Sequence, residues 1–130
     1  MTKTENQWRD SSLRPFLDSL PKCSYFIKEA KAIRGLPDLV GVFYGIPFYL
    51  EIKKSKTCLS HPRTKLQEYH LKKFQEAGAF AEFIYPENAW KLMCYLLLKA
   101  SERNLLNYGE YSELKKKVDF FFGDVSSKRK

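Results

Sequence analysis

At 130 residues, 44% hydrophobic and 15% aromatic, the chain has enough apolar material for one folded domain with its own core. That excludes an intrinsically disordered protein and a miniature scaffold dependent on disulfides or a structural metal. Its 23 Lys and Arg against 15 Asp and Glu leave a net charge of +8, which points to a polyanionic partner.

Trp8, Leu13, Phe16, Leu17 and Leu20 are spaced by threes and fours, as on a short amphipathic helix. Pro15 argues against one long helix and suits the first turn of a helix that starts near Leu13 and ends at Pro21. Tyr25-Phe26-Ile27 is a short strand by its aromatic and β-branched content, and Glu29 to Ile33 fits neither pattern.

Residues Arg34 to Lys53 organise the chain. Leu39 to Tyr44 and Phe48 to Ile52 read as antiparallel strands folded at Gly45, with Gly35 and Pro37 punctuating the approach. A tight turn at Tyr44-Gly45 sets Asp38 opposite Glu51, and one at Gly45-Ile46 sets it opposite Lys53. Either register puts Asp38, Glu51 and Lys53 on one sheet face, with Leu50 and Ile52 on the other. Opposed side chains lie roughly 5 Å apart at Cβ and diagonal ones roughly 7 to 8 Å, close enough for two carboxylates to share a hard cation. A turn of the other parity would split the set.

Lys54 to Pro62 is a polar loop whose lysines would lie near a nucleic acid bound over Glu51, with Ser60 as a helix cap and Pro62 in the first turn. From Pro62 to Ala77, Leu66, His70, Phe74 and Ala77 fall in one helical sector, and Lys65, Glu68, Lys72, Gln75 and Glu76 fall opposite. Gln67 sits at the edge of the apolar sector, where an amide needs a partner near the carboxylates, the backbone or a substrate. Gly78 caps that helix, and Phe80 to Tyr85 is a strand that returns by a crossover to lie beside the hairpin. A helix opened by Pro86-Glu87-Asn88 runs to about Ala100 with Trp90, Met93, Leu97 and Ala100 in the core. Glu110 to Val118 is a last short helix with Lys115, Lys116 and Lys117, and residues 126–130 form a basic tail behind a single domain spanning 1–125.

Cys23, Cys58 and Cys94 make neither a zinc-type pairing nor an even disulfide set, so reduced thiols are expected. The first residues lack an apolar signal region, and no apolar run reaches membrane-spanning length. A soluble, cytoplasmic protein with no membrane partner is therefore expected. The order of elements predicts an α/β fold with a mixed central sheet flanked by helices.

Asp38 and Glu51 supply the one or two carboxylates by which Mg²⁺ usually binds. Lys53 beside them can position or deprotonate a water, or stabilise charge on phosphorus. His61 and His70 lack partners at catalytic or zinc spacing and read as structural.

At these residues the chain resembles the PD-(D/E)XK nuclease superfamily, most closely its VRR-NUC and Holliday-junction resolvase-like branch. Pro37-Asp38 forms the first half of the motif and Glu51-Ile52-Lys53 the second. Arg34-Gly35, the polar loop, Gln67, Ala77-Gly78-Ala79 and Tyr85-Pro86 also look like that branch, over roughly Tyr25 to Trp90. The resemblance implies a restriction-endonuclease-like αβββαβ core, with metal held by Asp38, Glu51 and the Ile52 carbonyl. It further implies Lys53 as catalytic lysine and Gln67 as a site residue, while some members add an acid from the first helix. Here Glu5, Asp10 and Asp18 are candidates without a spacing argument among them.

A Mg²⁺-dependent endodeoxyribonuclease follows, with Mn²⁺ able to substitute, cutting by in-line attack of water to leave 5′-phosphate and 3′-hydroxyl ends. DNA would be held by Arg34, Lys54, Lys56 and Arg63, and recognised by backbone and shape, as in branched or flapped DNA. Paired cuts would favour a homodimer through the apolar C-terminal helix. The rival is a catalytically idle DNA-binding module of the same fold within a repair or packaging assembly.

Overall fold

The computed structural model describes residues 4–28 and 35–123. Arg34, the segment Glu29–Ile33 and the basic tail 126–130, all singled out in the sequence, lie outside the described residues.

The fold is α/β, built on a four-stranded mixed sheet in the order β1-β2-β3-β4. Strands β1 (Cys23–Ile27), β2 (Leu39–Phe43) and β3 (Ile46–Ile52) are antiparallel neighbours, and β4 (Phe80–Ile84) runs parallel to β3. The β2–β3 turn is the first of the two that the sequence allows, at Tyr44-Gly45. Phe43 pairs with Ile46, so only Tyr44 and Gly45 lie between the strands. Their φ values of 49° and 79° are the positive pair that a type I′ hairpin requires.

Side chains alternate between two unequal faces. Leu39, Phe43, Ile46, Phe48, Leu50, Ile52, Phe80 and Ile84 point into the main core. There they meet α2 (Arg14–Ser19), α4 (Ala89–Glu102) and α5 (Tyr108–Phe122) through Phe16, Leu17, Met93, Leu97, Leu114 and Val118. Among the described residues, α3 (Thr64–Glu76) covers the other face over β3 and β4. Phe74 of α3 stacks on Tyr49 of β3 with ring centroids 3.9 Å apart and planes 12° from parallel.

The N-terminal helical run differs from expectation. It is continuous from Glu5, as α1 (Glu5–Trp8), a π-helical turn (Arg9–Leu13) and α2. Pro15 does not break it, because the wide turn is already bonded from the Arg14 N–H to the Arg9 carbonyl and Pro15 falls in the first turn of the next α segment. The start is set by a capping box: Thr4 Oγ1 accepts from the Gln7 N–H at 3.1 Å, and Gln7 Oε1 accepts from the Thr4 N–H at 2.9 Å. Trp8 is buried against Phe122, with ring centroids 6.3 Å apart, so α5 holds the first helix in place.

Helix α3 also departs from the sequence pattern. Thr64 and Leu71 are its buried residues, with Gln67 and Phe74 half-buried beside them, whereas Leu66 is 43% exposed. The inward face is rotated by roughly 80° from the expected Leu66–His70–Phe74–Ala77 sector, of which Phe74 stays against the sheet. Leu66 and His70 instead rest against Gly35, where an added Cβ would stand 2.7 Å from Leu66 Cγ. Nor does Ser60 cap α3. Its hydroxyl donates to the Thr57 carbonyl at 3.0 Å within a 3₁₀ turn (Lys56–Ser60), and α3 begins two residues after Pro62. α5 is longer than expected because Asn107 and Glu110 form a second capping box ahead of the lysine-bearing segment. The three cysteines are free thiols. No helix among the described residues is long and apolar enough to cross a membrane.

Candidate metal centre at the end of the β2–β3 hairpin

Leu39 pairs with Leu50, and one further step along both strands sets Asp38 opposite Glu51. Both belong to the face that α3 covers. Asp38 Oδ2 accepts a hydrogen bond from the Ile52 N–H at 3.0 Å, which ties the first carboxylate to the end of β3. One more step sets Pro37 opposite Ile52. Proline has no N–H to offer the Ile52 carbonyl, so the hairpin ladder makes no claim on that oxygen.

Glu51 is 4% exposed and is one of two buried polar or charged residues in the described core, with Thr64. Its Oε2 accepts from Gln67 Nε2 at 2.8 Å. Gln67 therefore lies in the middle of the inward face of α3, not at its edge, and reaches the carboxylate. With both carboxylates ionised, the buried Glu51 Oε1 and Gln67 Oε1 have no hydrogen-bond donor among the described residues. Two acceptor oxygens in that condition suit a bound cation.

The electrostatics agree. Glu51 has its pKa pushed up to about 9, first by burial, then by repulsion from Asp38 and a hydrogen bond to Asp38 that only the protonated form can donate. The charge on Lys53 opposes this shift. Lys53 follows directly on β3, with its N–H on the Ile84 carbonyl at 2.9 Å and its ammonium 6.0 Å from the centre of the Phe83 ring.

The structure adds Glu5, which the sequence left among three acids without a choice. Loss of hydration on its inner side and repulsion from Asp38 raise its pKa, while Lys53 lowers it, so Glu5 belongs to the same electrostatic group. The Thr4-Glu5-Asn6-Gln7 capping box is the signal that would have placed it at a helix start. Asp10 and Asp18 are engaged elsewhere, Asp10 with Arg9 at 2.9 Å and Asp18 with the Tyr25 hydroxyl at 2.8 Å.

Of the expected DNA-binding residues, Lys54 is exposed and lines a shallow cleft of about 370 Å³ with Thr4, Glu5, Asn6 and Cys58. Lys56 and Arg63 are exposed on the connection to α3, where the Lys56 N–H meets Glu87 at 3.4 Å and the Arg63 N–H meets His61 at 3.1 Å. No contact among the described residues joins either to the carboxylates.

Among the described residues, no three His, Cys, Asp or Glu side chains form a set able to hold a metal by themselves. Asp38 and Glu51 would need backbone and water oxygens to complete a shell, which is how Mg²⁺ is commonly held. Comparison of the chain with protein-family models, curated proteins and solved structures yields no match.

Proposed function

We propose that the protein is a divalent-metal-dependent nuclease of the PD-(D/E)XK type that hydrolyses DNA phosphodiester bonds. The observation that carries this reading is the buried Glu51 Oε1, which has no donor when both carboxylates are ionised, set across the hairpin from Asp38 and on the same face as Lys53. A structural ion pair would leave no carboxylate oxygen buried and unbonded, since that costs about 1 to 3 kcal/mol or more. The succession of a helical run, three antiparallel strands, a helix and a parallel strand supports a restriction-endonuclease-like core.

Mg²⁺ bound by Asp38, Glu51 and the Ile52 carbonyl would supply positive charge to the phosphoryl oxygens. The residues do the rest. The Ile52 N–H holds Asp38, and Gln67 holds Oε2 of Glu51. Lys53 brings a charge beside both carboxylates, placed to stabilise the anionic phosphorus centre or hold the attacking water. Glu5 adds a third acid from the first helix, and Lys54 and the net charge of +8 favour the phosphate backbone.

The purified chain, incubated with Mg²⁺ or Mn²⁺ on plasmid, single-stranded and four-way-junction DNA, should cut at least one of them and stop in EDTA. Glu51→Gln and Lys53→Ala should each lower the rate by about 100-fold or more. Equal cutting by parent and variants would remove the assignment. Binding with a steep salt dependence but no cutting would identify an idle DNA-binding module.

A further inference from the structure

Resting on the nuclease reading above, we propose that the open half of the outer sheet face is a stacking platform for an unpaired base of the DNA, with Phe26 as the stacking ring. The substrate is then DNA with a single-stranded segment at the cut.

In β1 and β2, Phe26 pairs with Val40 and Ser24 with Val42. Asp38, Val40 and Val42 alternate along one strand, so these side chains share the face of the carboxylates. α3 covers only the other half of that face, through Phe74 on Tyr49 and Gln67 on Glu51. On the open half Phe26 is 62% exposed and Val42 46%. Phe26 stands diagonally from Asp38, a step of roughly 7 to 8 Å between Cβ atoms. Lys28 follows directly after β1, one step beyond the Ile27–Leu39 pair, and its N–H donates to the Asp38 carbonyl at 2.7 Å.

A bare aromatic ring one step from a phosphate-cutting centre, with lysines on both sides of that centre, matches a nucleotide: a flat base and an anionic link. Base stacking on exposed strand aromatics is a common mode of single-strand binding. A protein partner fits less well. Phe26, Val40 and Val42 fall far short of the roughly 800 Å² per side that a stable association buries. The depth of the site favours the same substrate, because Glu51 is only 4% exposed beneath α3. A loose strand can lower a phosphate into such a recess, whereas a stiff duplex must bend or open first.

Anisotropy of fluorescein-labelled 12-mers, single-stranded and as a hairpin duplex, with Ca²⁺ in place of Mg²⁺, tests this on the full chain. The parent should bind the single strand more tightly. Phe26→Ala should weaken single-strand binding by about 5- to 100-fold and duplex binding far less. Phe26→Trp should keep single-strand binding and show indole quenching beyond that of the parent. Equal weakening of both forms, or none, would overturn the platform while leaving the nuclease reading intact. So would a Phe26→Ala protein that changes oligomeric state with unchanged single-strand binding, which would assign the face to a second copy. A parent that binds and cuts no DNA defeats both.

Discussion

Glu51 is where burial and charge are most opposed. A carboxyl whose pKa is higher in the folded chain keeps a proton that the unfolded chain has released. The stability this proton contributes is complete below about 4.5 and is lost as pH rises toward about 9. Thermal melts of the metal-free protein in EDTA should therefore show Tm falling from pH 5 to pH 9. Glu51→Gln keeps the shape and the Gln67 contact but cannot ionise, so it should flatten that slope and raise Tm at pH 8 by a few degrees. A parent Tm insensitive to pH would show that Glu51 is not held in this way. Gln67→Ala leaves Glu51 Oε2 without its donor at 2.8 Å and should lower nuclease activity more than it lowers Tm. Activity and melting measured on the same preparation separate the two effects.

The hairpin is the element on which the site depends, because a one-residue slip would send Glu51 to the opposite face. Gly45 fixes the register at φ 79°, and a Cβ there would meet nothing within 4 Å. Gly45→Ala should thus cost about 1 to 2 kcal/mol from backbone conformation alone, read by urea denaturation. A cost near zero would mean that the turn can relax and that packing of Tyr44 sets the register. The sequence left two registers open because each gives the same alternation; the choice lies in Tyr44 accepting a positive φ while buried. Asp38, Glu51 and Lys53 were legible because strand periodicity puts them on one face in either register. The rotation of α3 was not legible. It depends on Phe74 finding the Tyr49 ring and on Leu66 turning to Gly35, contacts that no helical spacing encodes. Glu5 was hidden for a similar reason, since the place of its helix rests on a π-helical turn and on Trp8 meeting Phe122, more than a hundred residues along the chain.

Over the whole molecule, one face of the sheet carries the main apolar core and the other carries the paired carboxylates. α2, α4 and α5 close the apolar side, and α5 also anchors the helix that carries Glu5. Trp8→Ala should destabilise the fold by about 3 kcal/mol or more and release Glu5 from the site, which thermal melts and cleavage rates would register together. The other side holds the paired carboxylates at the end of the hairpin, in a chain of net charge +8. If that pair is a cation site, binding must expel the proton held by Glu51. Calorimetric titration of Mn²⁺ into the parent at pH 7.5, in two buffers of different ionisation enthalpy, measures both binding and proton release. The expected result is a saturable site that releases close to one proton per cation and disappears in Glu51→Gln and Asp38→Asn. Binding of unchanged strength in both variants, or none in the parent, would contradict it.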